Sequence, residues 1–246
     1  MFIETFCRKP PLELSDLSKA DVLVIMAHPD DPEFGAGATI ARLTREGKKV
    51  VYVICTAGDK GSADRNMTPA RLVEIRMGEQ RAAAKTLGVE EVIFLGHPDQ
   101  ALEANSELRK ELVELIRQYR PDLVITHSPY TRYIWWHRDH RKCGEAAMDA
   151  IFPYARDHMA YPDLLARGME PHKVNEIWLT GADDANYRSD ITGTFAQKID
   201  AIKCHKSQVE EDFFQRLDRI KARASASAEG EEFLMAEAFR RIEIPW

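Results

Sequence analysis

Long apolar runs are missing from this 246-residue sequence. A bilayer span needs about 20 consecutive apolar residues, and the hydrophobic stretches here stop after a few, so no membrane partner is expected. Residues 1–16 (MFIETFCRKPPLELSD) contain no apolar segment of signal-peptide length, which leads us to expect a cytoplasmic protein. Basic charge is not in excess either. With 34 Lys and Arg against 40 Asp and Glu, the net charge is −6, and nothing suggests a nucleic-acid surface. The four cysteines, Cys7, Cys55, Cys143 and Cys204, form no C-x-x-C pair. That argues against both a disulfide framework and a cysteine zinc site. Cys55 closes an apolar run and reads as a buried thiol. Internal repeats are absent too.

What is present is an alternation. Residues 21–27 (DVLVIMA) and 49–55 (KVVYVIC) read as buried parallel strands. Helical spacing follows the first, over 37–46, and Gly47 closes that helix. Pro69 opens a long helix that ends at Gly88. Residues 92–95 give a third strand, Ser106 caps a further helix that Pro121 stops, and 123–126 give a fourth strand. Four strand–helix alternations predict an α/β fold: a Rossmann-like, mostly parallel sheet with helices on both faces. The second half is less regular. Residues 174–180 read as a strand, and 195–204 and 210–220 as helices. Residues 222–230 are either a linker or an exposed helical stretch, and 231–240 read as a last helix. We expect one domain, with its core over about 21–206 and a helical extension over 207–246.

Ligands of such sheets bind beyond the carboxyl ends of the strands, so the residues after each strand matter most. The first strand runs into Ala27-His28-Pro29-Asp30-Asp31-Pro32-Glu33-Phe34-Gly35. Adjacent aspartates repel, and a divalent cation offsets that repulsion while accepting His nitrogen and Asp oxygen as ligands. A catalytic zinc takes three protein ligands and leaves a place for water. The loop after the fourth strand offers the missing one in His137-Arg138-Asp139-His140, where the two histidines are spaced for one side of a helical turn. One of them binds metal while the other faces substrate. Asp139 either orients a ligand histidine or caps the helix that follows. Gly35-Ala36-Gly37 is not a dinucleotide fingerprint, because the third glycine would fall on Ile40. His97-Pro98-Asp99 repeats part of the first motif after the third strand and reads as a pocket rim. His127 is either pocket-facing or structural. Trp135 and Trp136 form either a sugar-stacking wall or a packing surface.

Together, AHPDDPEFG, the downstream HRDH, EIRMGEQRAAAKTLGV, FLGHPD and the later HKSQ resemble the LmbE-like family. That family includes GlcNAc-phosphatidylinositol de-N-acetylases, mycothiol and bacillithiol deacetylases and diacetylchitobiose deacetylases. The resemblance implies a zinc (or iron(II)) enzyme with His28, Asp31 and His140 as metal ligands. Asp30 would be the general base, and a protonated His137 would stabilise the reacting oxygen. Arg76 would contact substrate and His205 would approach the site, the alternative for His205 being a helix C-terminal histidine at the dipole; Trp136 is taken as a substrate contact on its indole, and Glu33 and Asp139 as supporting residues. It further implies an amino-sugar substrate and a homo-oligomer, a trimer or hexamer. The expected activity is removal of the acetyl group from a GlcNAc-containing small molecule. Two alternatives stay open: an amidase acting on a larger acyl or thiol conjugate of glucosamine, and a non-catalytic sugar-binding protein on the same fold. Residues 151–173 are expected to form a loop over the pocket.

Overall fold

The computed structural model describes residues 19–132, 137–209 and 213–245. Its strands form one seven-stranded sheet in the order β3-β2-β1-β4-β5-β7-β6. β1 (Val22–Met26) is buried along its whole length. Val22, Val24 and Met26 join the core on one side of the sheet, and Leu23 and Ile25 join the core on the other. A strand covered on both faces has no use for polar alternation, which explains its unbroken apolar sequence. β2 (Val50–Thr56), β3 (Glu91–His97), β4 (Leu123–His127) and β5 (Glu176–Thr180) extend the parallel sheet on either side of β1.

α1 (Asp31–Arg45) and α2 (Pro69–Leu87) cover one face, with Ile40, Ala41, Val73 and Met77 in the core. α3 (Ser106–Tyr119) and α4 (Arg138–Asp149) cover the other, through Leu108, Leu112, Cys143 and Ala146. The layered fold expected from the sequence is therefore present. Two boundaries differ. α1 begins at Asp31, inside the motif, and not at residue 37; Pro32 and the acidic Asp31 and Glu33 suit a first helical turn. The cap of α3 is Asn105, whose side chain accepts from the Leu108 amide, so Ser106 is already helical.

The C-terminal half departs further from expectation. Beyond α5 (Pro162–Ala166) and β5 come β6 (Tyr187–Asp190), α6 (Phe195–Ile202), α7 (Lys206–Val209), α8 (Phe213–Ser227) and β7 (Ala236–Glu243). Part of 231–240, read from sequence as helix, is thus strand. β7 inserts between β5 and β6, antiparallel to both. Local helix propensity loses there to pairing: Phe239 is fully buried beside Trp178 and Tyr187, and Arg241 reaches both oxygens of Glu176 at 2.8 Å. The stretch that includes 222–227 continues α8 and is not a linker.

Residues 151–173 do not cover the pocket. The buried Arg117 donates to the carbonyls of Tyr154, Ala155, Asp157 and Ala160. His172 hydrogen-bonds the Pro121 carbonyl just ahead of β4, at the opposite end of the sheet from the motif. No helix among the described residues is long and apolar enough to cross a membrane.

Candidate metal centre and active site

The sheet order reverses direction between β1 and β4, and a crevice opens there at the strands' carboxyl ends. The first motif leaves β1 into this crevice and the second follows β4, so both reach the same place. Close approach of α4 to β4 depends on Gly144: a Cβ there would lie 2.3 Å from the His127 carbonyl oxygen. That contact sets the helix carrying His140 against the strand end.

His28 Nδ1 lies 3.3 Å from Asp31 Oδ2 and 3.3 Å from His140 Nε2, and His140 Nε2 lies 3.1 Å from Asp31 Oδ1. Zinc–ligand bonds of 2.0–2.2 Å in a tetrahedron put ligand atoms roughly 3.3–3.6 Å apart. One Asp31 oxygen faces His28 and the other faces His140, so the three side chains can close on one small divalent ion once the carboxylate turns. Among the described residues, three sets have ligand atoms that all lie within 4.8 Å of one another: His28 with His137 and His140, Asp31 with His127 and His140, and His28 with Asp99 and Asp139. Their lone pairs are more committed. His137 Nδ1 accepts the Asp139 amide at 3.2 Å, and His127 Nε2 accepts the Ala27 amide at 3.2 Å. In the last set, His28 Nε2 faces Asp99 at 3.0 Å and Asp139 at 3.3 Å. Those two carboxylates hold the Nε2 proton and leave the Nδ1 lone pair turned toward Asp31 and His140.

The charges around this cluster suit a cation. Burial disfavours a protonated His28, yet hydrogen bonds to Asp139, Asp31 and Asp99 outweigh it and push its pKa up to about 12. Burial likewise opposes ionisation of Asp31, but the charges of His140 and His127 hold its carboxyl well below the usual range. His127, stacked on His140 with ring centroids 4.1 Å apart, is pulled down to about 4 by burial and by the neighbouring His140. A group of carboxylates and imidazoles that keeps a proton so tightly suits a metal ion in the proton's place.

Asp30 is different. Burial raises its pKa to about 6; Arg76 works against the rise and Asp31 adds to it. Its backbone has φ of 93°, a left-handed conformation that costs a non-glycine residue roughly 1–2 kcal/mol. His137 caps α4 and lines the cavity, its ring edge-on to His28 at 4.6 Å. Burial and the nearby His28 charge lower its pKa. With Nδ1 accepting the Asp139 amide, the neutral ring carries its proton on Nε2.

Of the other expected residues, His205 and Arg76 lie away from the cavity, and Glu33 and Asp139 are enclosed behind the cluster. His205 is fully buried, with Nε2 2.9 Å from Glu33 Oε2, so it contacts Glu33 and not the cavity. Arg76 is buried and donates to the carbonyls of Pro29 and Gly58, with Asp30 Oδ2 at 3.4 Å. Glu33 is completely enclosed, held by Gln80 and His205. Asp139 is also enclosed and accepts the amides of Gln100 and Leu102. Trp136 lies outside the described residues. Three participants were missed or undecided in the sequence. Asp99 belongs at His28, and its repetition of the H-P-D motif was the available signal. His127 faces the cluster. Gln80 lies one helical turn beyond Arg76, on the same side of α2.

A cavity of about 1030 Å³ adjoins the cluster. Asp31, His137 and His140 stand at one side, and Ile220, Arg223 and Ala224 of α8 with Glu237 of β7 form another. The C-terminal elements, and not residues 151–173, therefore wall it.

A family model described as GlcNAc-PI de-N-acetylase matches residues 23–151. The diacetylchitobiose deacetylase of Thermococcus kodakarensis is 34% identical over 194 residues, covering 79% of this chain and 72% of the relative. A 1D-myo-inositol 2-acetamido-2-deoxy-alpha-D-glucopyranoside deacetylase of Thermobispora bispora is 32% identical over 243 residues, covering 76% and 79%. Among solved structures, the N,N'-diacetylchitobiose deacetylase of Pyrococcus horikoshii, in complex with an inhibitor, aligns with a TM-score of 0.86 at 30% identity, over 95% of this chain and 88% of that one.

Proposed function

We propose, starting from the fact that this chain belongs to the GlcNAc-PI de-N-acetylase family, that it is a hydrolase removing the acetyl group from a GlcNAc-containing small molecule. The observation that carries the reading is the three-way approach of His28, Asp31 and His140 at 3.1–3.3 Å, beside a cavity and next to an aspartate of raised pKa.

His28, Asp31 and His140 would hold one divalent ion, zinc first and iron(II) as the same donor set allows. Bound there, such an ion lowers the pKa of water and polarises an amide carbonyl. Asp30 follows in sequence only two residues after one ligand and directly precedes another. Its carboxylate takes a proton from the water that attacks the acetyl carbon. Arg76 keeps that carboxylate ionised at rest, through a contact long enough, at 3.4 Å, to release it for proton transfer. His137 offers its Nε2 proton to the acetyl oxygen as charge collects there. When the carbon–nitrogen bond breaks, Asp30 returns its proton to the sugar amine, and acetate and free amine leave. Asp99 and Asp139 act through His28, fixing its tautomer and tilt.

A homo-oligomer, trimer or hexamer, and a cytoplasmic location remain part of this reading; light scattering checks the first and fractionation the second. The function itself is tested by acetate release from a panel of N-acetylglucosamine conjugates, with metal analysis on the same sample. Stoichiometric acetate from at least one conjugate and about one ion per chain are expected. Release of a longer acyl group with no acetate would replace the reading with the amidase one. Sugar binding with no release from any conjugate would leave only a binding protein.

A further inference from the structure

Asp30 sits in a backbone conformation that disfavours any side chain, so its surroundings must impose it. The constraint is found in a single peptide unit. Arg76 Nη2 donates to the Pro29 carbonyl at 2.7 Å, and Gln80 Oε1 accepts the Asp30 amide at 2.8 Å. These are the C=O and N–H of the peptide joining Pro29 to Asp30. Both are held by one side of α2, from residues four apart. Rotation of that plane would break both bonds and carry the Asp30 side chain with it.

Gln80 cannot turn over to relieve the arrangement. Its Nε2 donates to both oxygens of Glu33, each at 3.1 Å, and Glu33 Oε2 also meets His205 Nε2 at 2.9 Å. A reversed amide would present oxygen to a carboxylate and N–H to N–H. Gln80, Glu33 and His205 are all 0% exposed, so no water substitutes for these partners from bulk solvent. Glu33 thus orients Gln80, His205 anchors Glu33, and Gln80 fixes Asp30.

We propose that Gln80 is a positioning residue for the reaction: backed by the Glu33–His205 pair, it locks the Pro29–Asp30 peptide so that the Asp30 carboxylate stands ready for proton transfer. This rests on the reading of Asp30 as the base of amide hydrolysis. Gln80 touches neither the cavity nor the metal-ligand atoms, so its effect passes through Asp30.

The test compares wild type with Gln80→Met, which keeps volume and loses the hydrogen bonds to the Asp30 amide and to Glu33, and with the double variant Gln80→Glu/Glu33→Gln, in which residue 80 still accepts the Asp30 amide while the contact between residues 80 and 33 exchanges donor and acceptor. For Q80M we expect kcat to fall about 100-fold, the scale of a misplacement near 1 Å, with KM within about threefold and metal content unchanged. The double variant should recover to within about tenfold of wild type. A crystal structure of Q80M should show the Asp30 φ leaving the left-handed region. If Q80M does not accumulate as folded protein, Gln80→Asn, whose amide is withdrawn by one methylene, carries the same expectations. The inference is overturned if kcat per folded, metal-loaded molecule stays at the wild-type level, or if Asp30 keeps its φ without Gln80. A wild-type protein that releases no acetate from any conjugate would sink the deacetylase reading alone, and the φ of Asp30 in the variant would still decide the positioning inference.

Discussion

The motif after β1 has a front and a back, and they solve opposite problems. At the front, Asp31 and His140 face a cavity with His28 packed against them, in close carboxylate and imidazole contacts that favour a cation. At the back, Glu33, Gln80 and His205 are sealed from solvent, and both Glu33 oxygens are matched. Asp30 stands between: its carboxylate belongs to the front and its amide is held from the back. One short run of chain can therefore supply ligands, a proton acceptor and the anchor for that acceptor, because helix and turn geometry send neighbouring side chains in different directions.

If front and back do divide chemistry from support, losses at the front should fall on turnover and losses at the back on stability, except at Gln80, which holds the Asp30 amide directly. Asp30→Ala is expected to have the largest effect, about 10³-fold or more off kcat with the metal retained, measured by acetate release and metal analysis. Near-normal turnover would remove Asp30 from its role. His140→Ala comes next: metal content should drop well below one per chain, with activity following it, and a fully loaded, active H140A would break the ligand assignment. The pH profile separates the two regions further. Asp30 accepts a proton only when ionised, so kcat/KM should rise with pH through an apparent pKa near or below 6, the value set by burial and reduced further by a bound cation. A rate that falls between pH 5 and 7 has the wrong sign. At the back, His205→Ala leaves a buried carboxylate short of a partner and should cost about 1–3 kcal/mol of stability in denaturant melts. Turnover per folded molecule should change less than tenfold; a larger change would move His205 to the front. Smallest of all, Arg241→Ala, which removes the partly exposed pair with Glu176 far from the motif, should cost no more than about 1 kcal/mol and leave kinetics unchanged.

The front was more legible in the sequence than the back, for physical reasons. Buried parallel strands write themselves as apolar runs, so β1, β2 and β4 could be read, and the crevice beyond them followed from topology. His28 and Asp31 stood out because imidazole and carboxylates crowded there are costly without a cation, while the choice of His140 over His137 came from the family resemblance alone. Gln80 gave no such sign: a glutamine inside a helix looks like a solvated residue until tertiary packing encloses it. His205 was left between the site and a helix end, with the resemblance favouring the site, and only its burial against Glu33 places it behind. β7 was hidden because Glu, Ala and Arg favour helix, and its partners β5 and β6 lie distant in sequence. The cavity wall followed it out of reach, since α8 and β7 build that wall where residues 151–173 were expected.

The account rests on one ion shared by the two motifs. The most direct test is a crystal structure of metal-loaded protein with anomalous scattering recorded at the zinc edge. A single peak within about 2.0–2.3 Å of His28 Nδ1, an Asp31 oxygen and His140 Nε2, with an open side toward the cavity, is the result expected. A peak held by Asp31, His127 and His140 with His28 turned away, or no peak in protein that still releases acetate, would contradict it.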